Sequence, residues 1–207
     1  MGIFANPEHS EEDESRYGVK IMFLHGLEGS PTGSKAVHLK KEWGAICPQM
    51  RTLGLIEKRT KCSGNWSLLS RDELDDGLKD PYQDALDALR WADPDIVVGS
   101  SMGGAILFKL IQEGKFKGPA VFCAPAIGSL LTPDQTKEGI ENLEDTPSVW
   151  ILAETDMFVS NKHNMDIAAR ANGSVIFSPN DNHRLNKALE CGILDAAILT
   201  AIELNNR

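Results

Sequence analysis

The chain has 207 residues, 42% of them hydrophobic and 25% charged, with a formal net charge of −9. This is the balance of one ordinary globular domain with enough apolar material for a sizeable core. The negative charge argues against nucleic acid or an anionic membrane as a partner and mildly against polyanionic substrates, and it leaves neutral small molecules open.

Residues 1–16 are polar and acidic and read as a flexible leader. They lack the cationic start and apolar stretch of a signal peptide, and Asn6 stands where a myristoylation pattern needs Ser or Thr. Tyr17 to Gly26 is apolar and glycine-bounded, a strand. A loop, "EGSPTGSKA", leads to a helix from Ser34 to Trp43, and 45–50 reads as a short second strand. Residues 51–80 have no clean period, which suits an irregular loop or a small cap. Pro81 then opens a helix with Tyr82, Ala85, Leu86 and Leu89 on one face.

Residues 95–100, "DIVVGS", form a buried-type strand, and 102–114 form a helix closed by Gly114. A strand at 119–127 follows, then polar and turn-forming residues over 128–146. A strand at 147–156 ends in acids, a short helix covers 164–171, a last strand covers 174–179, and a terminal helical region spans 185–204. Strands alternating with helices in continuous apolar runs imply an α/β fold: a doubly wound, mostly parallel sheet of about six strands with helices on both faces. A single domain over 17–207 accommodates this, without room for a large lid. Cys47, Cys62, Cys123 and Cys191 are scattered with no CxxC pair, so neither a zinc site nor a disulfide framework is indicated. No uncharged run reaches membrane-spanning length, and a reducing, cytoplasmic setting is expected.

Sheets of this kind place ligands beyond the carboxyl ends of their strands. There, Gly99-Ser100-Ser101-Met102-Gly103 is a G-x-S-x-G pentapeptide between a strand and a helix. Glycine at 99 and 103 removes side chains that would meet neighbouring backbone, so Ser101 can stand exposed on a tight corner. The bland alternative is a plain glycine-rich turn or a phosphate cradle. A serine nucleophile needs a base, and the base needs an orienting acid. The expected chain order Ser, acid, His is met by Ser101, Asp156 and His183, spaced by 55 (156 − 101) and 27 (183 − 156) residues. Glu154 competes with Asp156, which is preferred because it heads a turn at the strand's end. Asp181 is too close in sequence to His183 to orient it. His163 reads as solvated or capping, His38 lies in a polar helix and His9 in the leader.

The oxyanion donors expected are the N–H of Met102, at the helix start, and that of Leu27, freed by the turn at Gly26. His25 reads as a brace for that loop. Substrate contacts are expected from Leu27, Met102, Ile127, Leu130, Leu131 and Phe158, each of which could equally be core.

"FLHGLEGSPTGSKAVHLKKE", then "GSSMGG", an aspartate at a strand end and "NHRL" together resemble the α/β-hydrolase superfamily, and more loosely its small lidless bacterial esterases of the YqiA-like group. The resemblance implies a Ser-His-Asp hydrolase of carboxylic esters or thioesters, with a small-molecule ester as partner and no metal or organic cofactor. A carbon–carbon bond hydrolase or perhydrolase with the same triad, or a non-catalytic binding member of the fold, stays open. Physiological substrate and oligomeric state are not legible in the sequence.

Overall fold

The computed structural model describes residues 18–144 and 146–206. The acidic leader therefore lies outside the described residues. Five parallel strands form one sheet in sequence order: β1 (Ile21–Leu24), β2 (Ile96–Ser100), β3 (Ala120–Cys123), β4 (Ser148–Ala153) and β5 (Ser174–Ser178). The register pairs Leu24 with Gly99 and Ser100 with Cys123, which aligns the carboxyl ends of β1, β2 and β3 at one edge. Strands β1 to β4 are buried along their whole length, whereas β5 is an edge with Val175 and Phe177 exposed.

Alternation of side chains divides the core into two layers. Ile21, Phe23, Val98, Val121 and Ile151 pack with α1 (Ser34–Trp43) and α9 (Ile193–Asn205) on one face. Met22, Leu24, Val97, Phe122 and Trp150 face α3 (Arg71–Ala92) and α4 (Met102–Gln112) on the other. The expected second strand at 45–50 is reduced to one bridge, Ile46 to Met22, on the free side of β1. Pro48 lacks the N–H that would continue a ladder. The chain thus leaves β1 toward Ile46 on one side and resumes at β2 on the other, and the crevice at such a reversal of strand order is where open α/β sheets bind ligands.

Two stretches expected to be irregular are helical. Within 51–80 lie α2 (Leu53–Lys61), a 3₁₀ turn at Trp66–Leu68 and the first ten residues of α3. Helix α3 begins at a capping box in which the Ser70 Oγ accepts from the Glu73 N–H and Glu73 Oε2 accepts from the Ser70 N–H. Pro81 therefore sits inside the helix rather than at its start, held by the buried stripe of Leu74, Leu78, Ala85 and Leu86. The strand expected over 119–127 ends at Cys123, and beyond it lie the short α5 (Ile127–Leu130) and α6 (Pro133–Leu143), the latter opened by a Thr132–Gln135 capping box. Helix α7 (Asn161–Arg170) precedes β5, and the terminal region splits at Gly192 into α8 (Asn186–Glu190) and α9.

Candidate active site

Ser101 joins β2 to α4 with φ 53° and ψ −114°, a conformation side-chain-bearing residues rarely adopt. Neighbouring backbone holds it there: its N–H donates to the Cys123 carbonyl at 2.9 Å, and its carbonyl accepts from the Ala126 N–H at 3.0 Å. The glycines around it are required by space. A Cβ on Gly99 would lie 2.6 Å from the Gly103 carbonyl oxygen, and one on Gly103 only 2.1 Å from that of Leu24. Such approaches leave no room for any residue but glycine.

The two loops that follow β4 and β5 bring the partners. Ser101 Oγ lies 2.8 Å from His183 Nε2, and His183 Nδ1 lies 2.8 Å from Asp156 Oδ2. A carboxylate can only accept, so Nδ1 carries the proton and Nε2 is free to accept from the serine hydroxyl. Asp156 lies three residues beyond the end of β4 rather than at its last position. Its Oδ1 also accepts the Phe158 and Val159 N–H groups, at 2.8 and 3.0 Å, and its side chain is wholly covered. Burial alone would raise the Asp156 carboxyl, but the hydrogen bonds from His183, Val159 and Phe158 outweigh it and hold the group below the usual carboxylate range.

Asp181 stitches the two loops together. Its buried carboxylate accepts from Ser178 Oγ and from the N–H groups of Asn182 and Ala188, while its carbonyl accepts from both the N–H and the Oγ of Thr155. Glu154 turns away and accepts from the Asn180 N–H at 2.6 Å. Neither competes with Asp156 for the imidazole.

The loop after β1 lies over Ser101. Gly26 approaches so closely that an added Cβ would be 3.3 Å from the Ser101 Cβ. His25 braces this loop as expected: its Nδ1–H donates to the Gly26 carbonyl at 2.8 Å and its Nε2 accepts from the Met50 N–H at 3.2 Å. Burial lowers its pKa below the usual 6.5, and the bond to Gly26 only partly opposes this. Met102, the first residue of α4, has an N–H with no acceptor inside the helix. Leu27 follows Gly26 in the braced loop and lines the same groove as Ser101 and Met102. A hydroxyl, imidazole and carboxylate joined in this order can carry a nucleophilic attack on a carbonyl carbon.

A groove of about 790 Å³ runs across Ser101 and His183. Leu27, Met102, Leu130 and Phe158 line it, together with Leu55 and Trp66, which sequence reasoning did not single out because the fold of 51–80 was not legible. The Phe158 ring stands 5.3 Å from the His183 ring. Ile127 and Leu131 are buried in the core and do not line the groove. A smaller cavity at the opposite end of the strands, beside Asp95 and Pro119, lies apart from this cluster. Among the described residues no group of three His, Cys, Asp or Glu side chains could hold a metal ion, and no helix is long and apolar enough to cross a membrane.

No family model matches the chain, and no curated protein matches it in sequence. Solved structures do match in fold. The ferulic acid-bound structure of Est1E from Butyrivibrio proteoclasticus is similar with a TM-score of 0.64 at 13% identity, over 89% of this chain and 90% of that one. A structure from work on the metagenome-derived lipolytic enzymes LipS and LipT matches at 0.60 and 14% identity, over 89% and 93%. A Xanthomonas campestris pv. campestris protein assigned to the alpha/beta hydrolase superfamily matches at 0.58 and 16% identity, over 91% and 99%.

Proposed function

We propose, for a chain whose fold is that of the α/β hydrolases, that it is a serine hydrolase of small carboxylic esters or thioesters. Ser101 Oγ attacks the carbonyl carbon as its proton passes to His183 Nε2. Asp156, held ionised by its three donors, fixes the imidazole tautomer and supports the imidazolium. The N–H groups of Leu27 and Met102 stabilise the oxyanion. The tetrahedral intermediate collapses, the bond to the leaving oxygen or sulfur breaks, and His183 returns the proton to it. Water then attacks the acyl-Ser101 ester with His183 as base, releasing the acid and the serine hydroxyl.

The single observation that carries this reading is the unbroken chain from Ser101 Oγ through His183 to Asp156, both links 2.8 Å long, at a strained serine. The esterase and lipolytic proteins among the fold's neighbours agree with it. The test is hydrolysis of p-nitrophenyl acetate by the purified protein and by Ser101→Ala. The variant should lose a factor on the order of 10⁴ or more in kcat. Equal hydrolysis by both would refute the assignment, as would a folded parent without activity on any activated ester or thioester.

A further inference from the structure

The groove straddles the edge of the sheet, and its two ends differ in chemistry. The end above the α3 and α4 layer carries Leu27, Leu55, Trp66 and Leu130, all packed in or against that layer's core, with the mutually paired Glu28 and Arg59 at its rim. The end above the α1 layer is polar, with Ser34, Lys35, Arg184 and Asn186. Of these, Lys35 and Arg184 are cations. The Lys35 ammonium has one protein acceptor, the carbonyl of Arg184, so two of its three donors remain free. The Arg184 guanidinium makes no hydrogen bond or ion pair with another described residue. The third cation on the groove, Arg59, is paired with Glu28. Two carboxylates lie near this end: Asp156, hydrogen-bonded to His183, and the buried Asp181, whose donors are neutral and whose charge supports the Lys35 ammonium against the burial that lowers its pKa.

Direction follows from the chemistry, on the serine-hydrolase reading above. The leaving atom must sit beside His183, which protonates it, and Arg184 is the next residue along the chain. The acyl group, anchored by its carbonyl at Leu27 and Met102, extends toward the apolar end. We infer that the enzyme selects esters whose leaving group carries an anion, a carboxylate or a phosphate, bound by Lys35 and Arg184. In a chain of net charge −9, Arg184 and the remaining donors of Lys35 are the groove's cationic groups not committed to a carboxylate hydrogen bond.

The test uses acetyl esters of three matched phenols: 4-hydroxybenzamide, 4-hydroxybenzoate and 4-hydroxyphenyl phosphate, each rate normalised to the ester's hydroxide-catalysed hydrolysis. At least one anionic ester should exceed the neutral one about tenfold in kcat/KM, and the larger value identifies the anion. In Arg184→Gln this ratio should collapse toward one, in Arg184→Lys most of it should survive, and thermal melts establish that both are folded. Lys35→Met provides a second, independent reduction of the ratio. Moving the charge to the acyl side, in p-nitrophenyl hemisuccinate against p-nitrophenyl butyrate, should give no gain. Equal normalised rates for all three acetyl esters in the parent would overturn the anion assignment and leave the serine hydrolase standing. A ratio that persists in both Arg184→Gln and Lys35→Met would overturn it as well. Absence of turnover of every ester would instead overturn the hydrolase reading beneath it.

Discussion

Gly103→Ala places one methyl group where the fold has no room for it. The new Cβ would lie 2.1 Å from the Leu24 carbonyl oxygen, 2.5 Å from its carbon and 2.7 Å from the His25 oxygen. Ordinary contact begins at 3.4 Å, so the shortfall against the Leu24 oxygen is 1.3 Å (3.4 − 2.1). The atoms in the way are backbone, at the end of β1, and cannot swing aside as a side chain would. Helix α4 and the loop after β1 must separate by about that distance. Overpacking of this kind costs about 1–3 kcal/mol or more. At about 2–4 °C per kcal/mol for a chain of this size, Tm should fall by roughly 2–12 °C. The loop that moves carries Leu27, so the proposed oxyanion pair opens by an amount close to 1 Å, and misplacement on that scale costs about 10² in rate. Thermal melts and kcat on p-nitrophenyl acetate check both numbers. The matched control is Gly54→Ala in α2, where an added Cβ meets nothing within 4 Å. In the first turn of α2 it should leave Tm equal to the parent's or slightly higher and kcat unchanged. A Gly103→Ala protein with the parent's Tm and kcat would refute the packing argument for the elbow.

Asp156→Asn keeps the size of the side chain but removes the charge and the preference for the Nδ1–H tautomer, so kcat should fall by roughly 10³–10⁴ with KM little changed, measured by steady-state kinetics. The buried His25 gives the fold a pH dependence. Its folded pKa is below its unfolded value of 6.5, so between the two the unfolded chain binds more protons. That contribution is complete above about pH 6.5 and is lost as pH falls, at up to about 1.4 kcal/mol per pH unit. Urea unfolding at pH 7 and pH 5 should therefore show a smaller loss for His25→Gln than for the parent, and an equal loss would count against a buried neutral imidazole.

The site was more legible in the sequence than the elements around it. The serine corner announces itself because only glycine can stand at 99 and 103, and that steric demand is local. Ser101, Asp156 and His183 could be picked out because each follows a different strand and a parallel sheet gathers those carboxyl ends at one edge. The helices over 53–61 and 133–143 were not legible by periodicity: α2 buries Leu55 alone, and α6 buries Thr136 and Gly139 beside Ile140 and Leu143. The start of α6 carried a better signal, in the Thr132–Gln135 box, as did Ser70–Glu73 for α3, which Pro81 obscured, whereas α2 has no side-chain cap. Ile127 and Leu131 had the right composition for substrate contacts, but whether an apolar residue faces a groove or the core depends on the orientation of α5, which composition does not encode. Lys35 and Arg184 meet only because α1 and the loop after β5 converge across 149 residues of sequence.

The nucleophile itself is accessible to one direct measurement: intact mass and peptide mapping after exposure to a fluorophosphonate. The expected result is a single adduct on the peptide containing Ser101, absent in Ser101→Ala and formed at least a hundredfold more slowly in His183→Ala. A folded parent that takes up no label, or takes it up at another residue, would contradict the proposal that Ser101 is the reactive group.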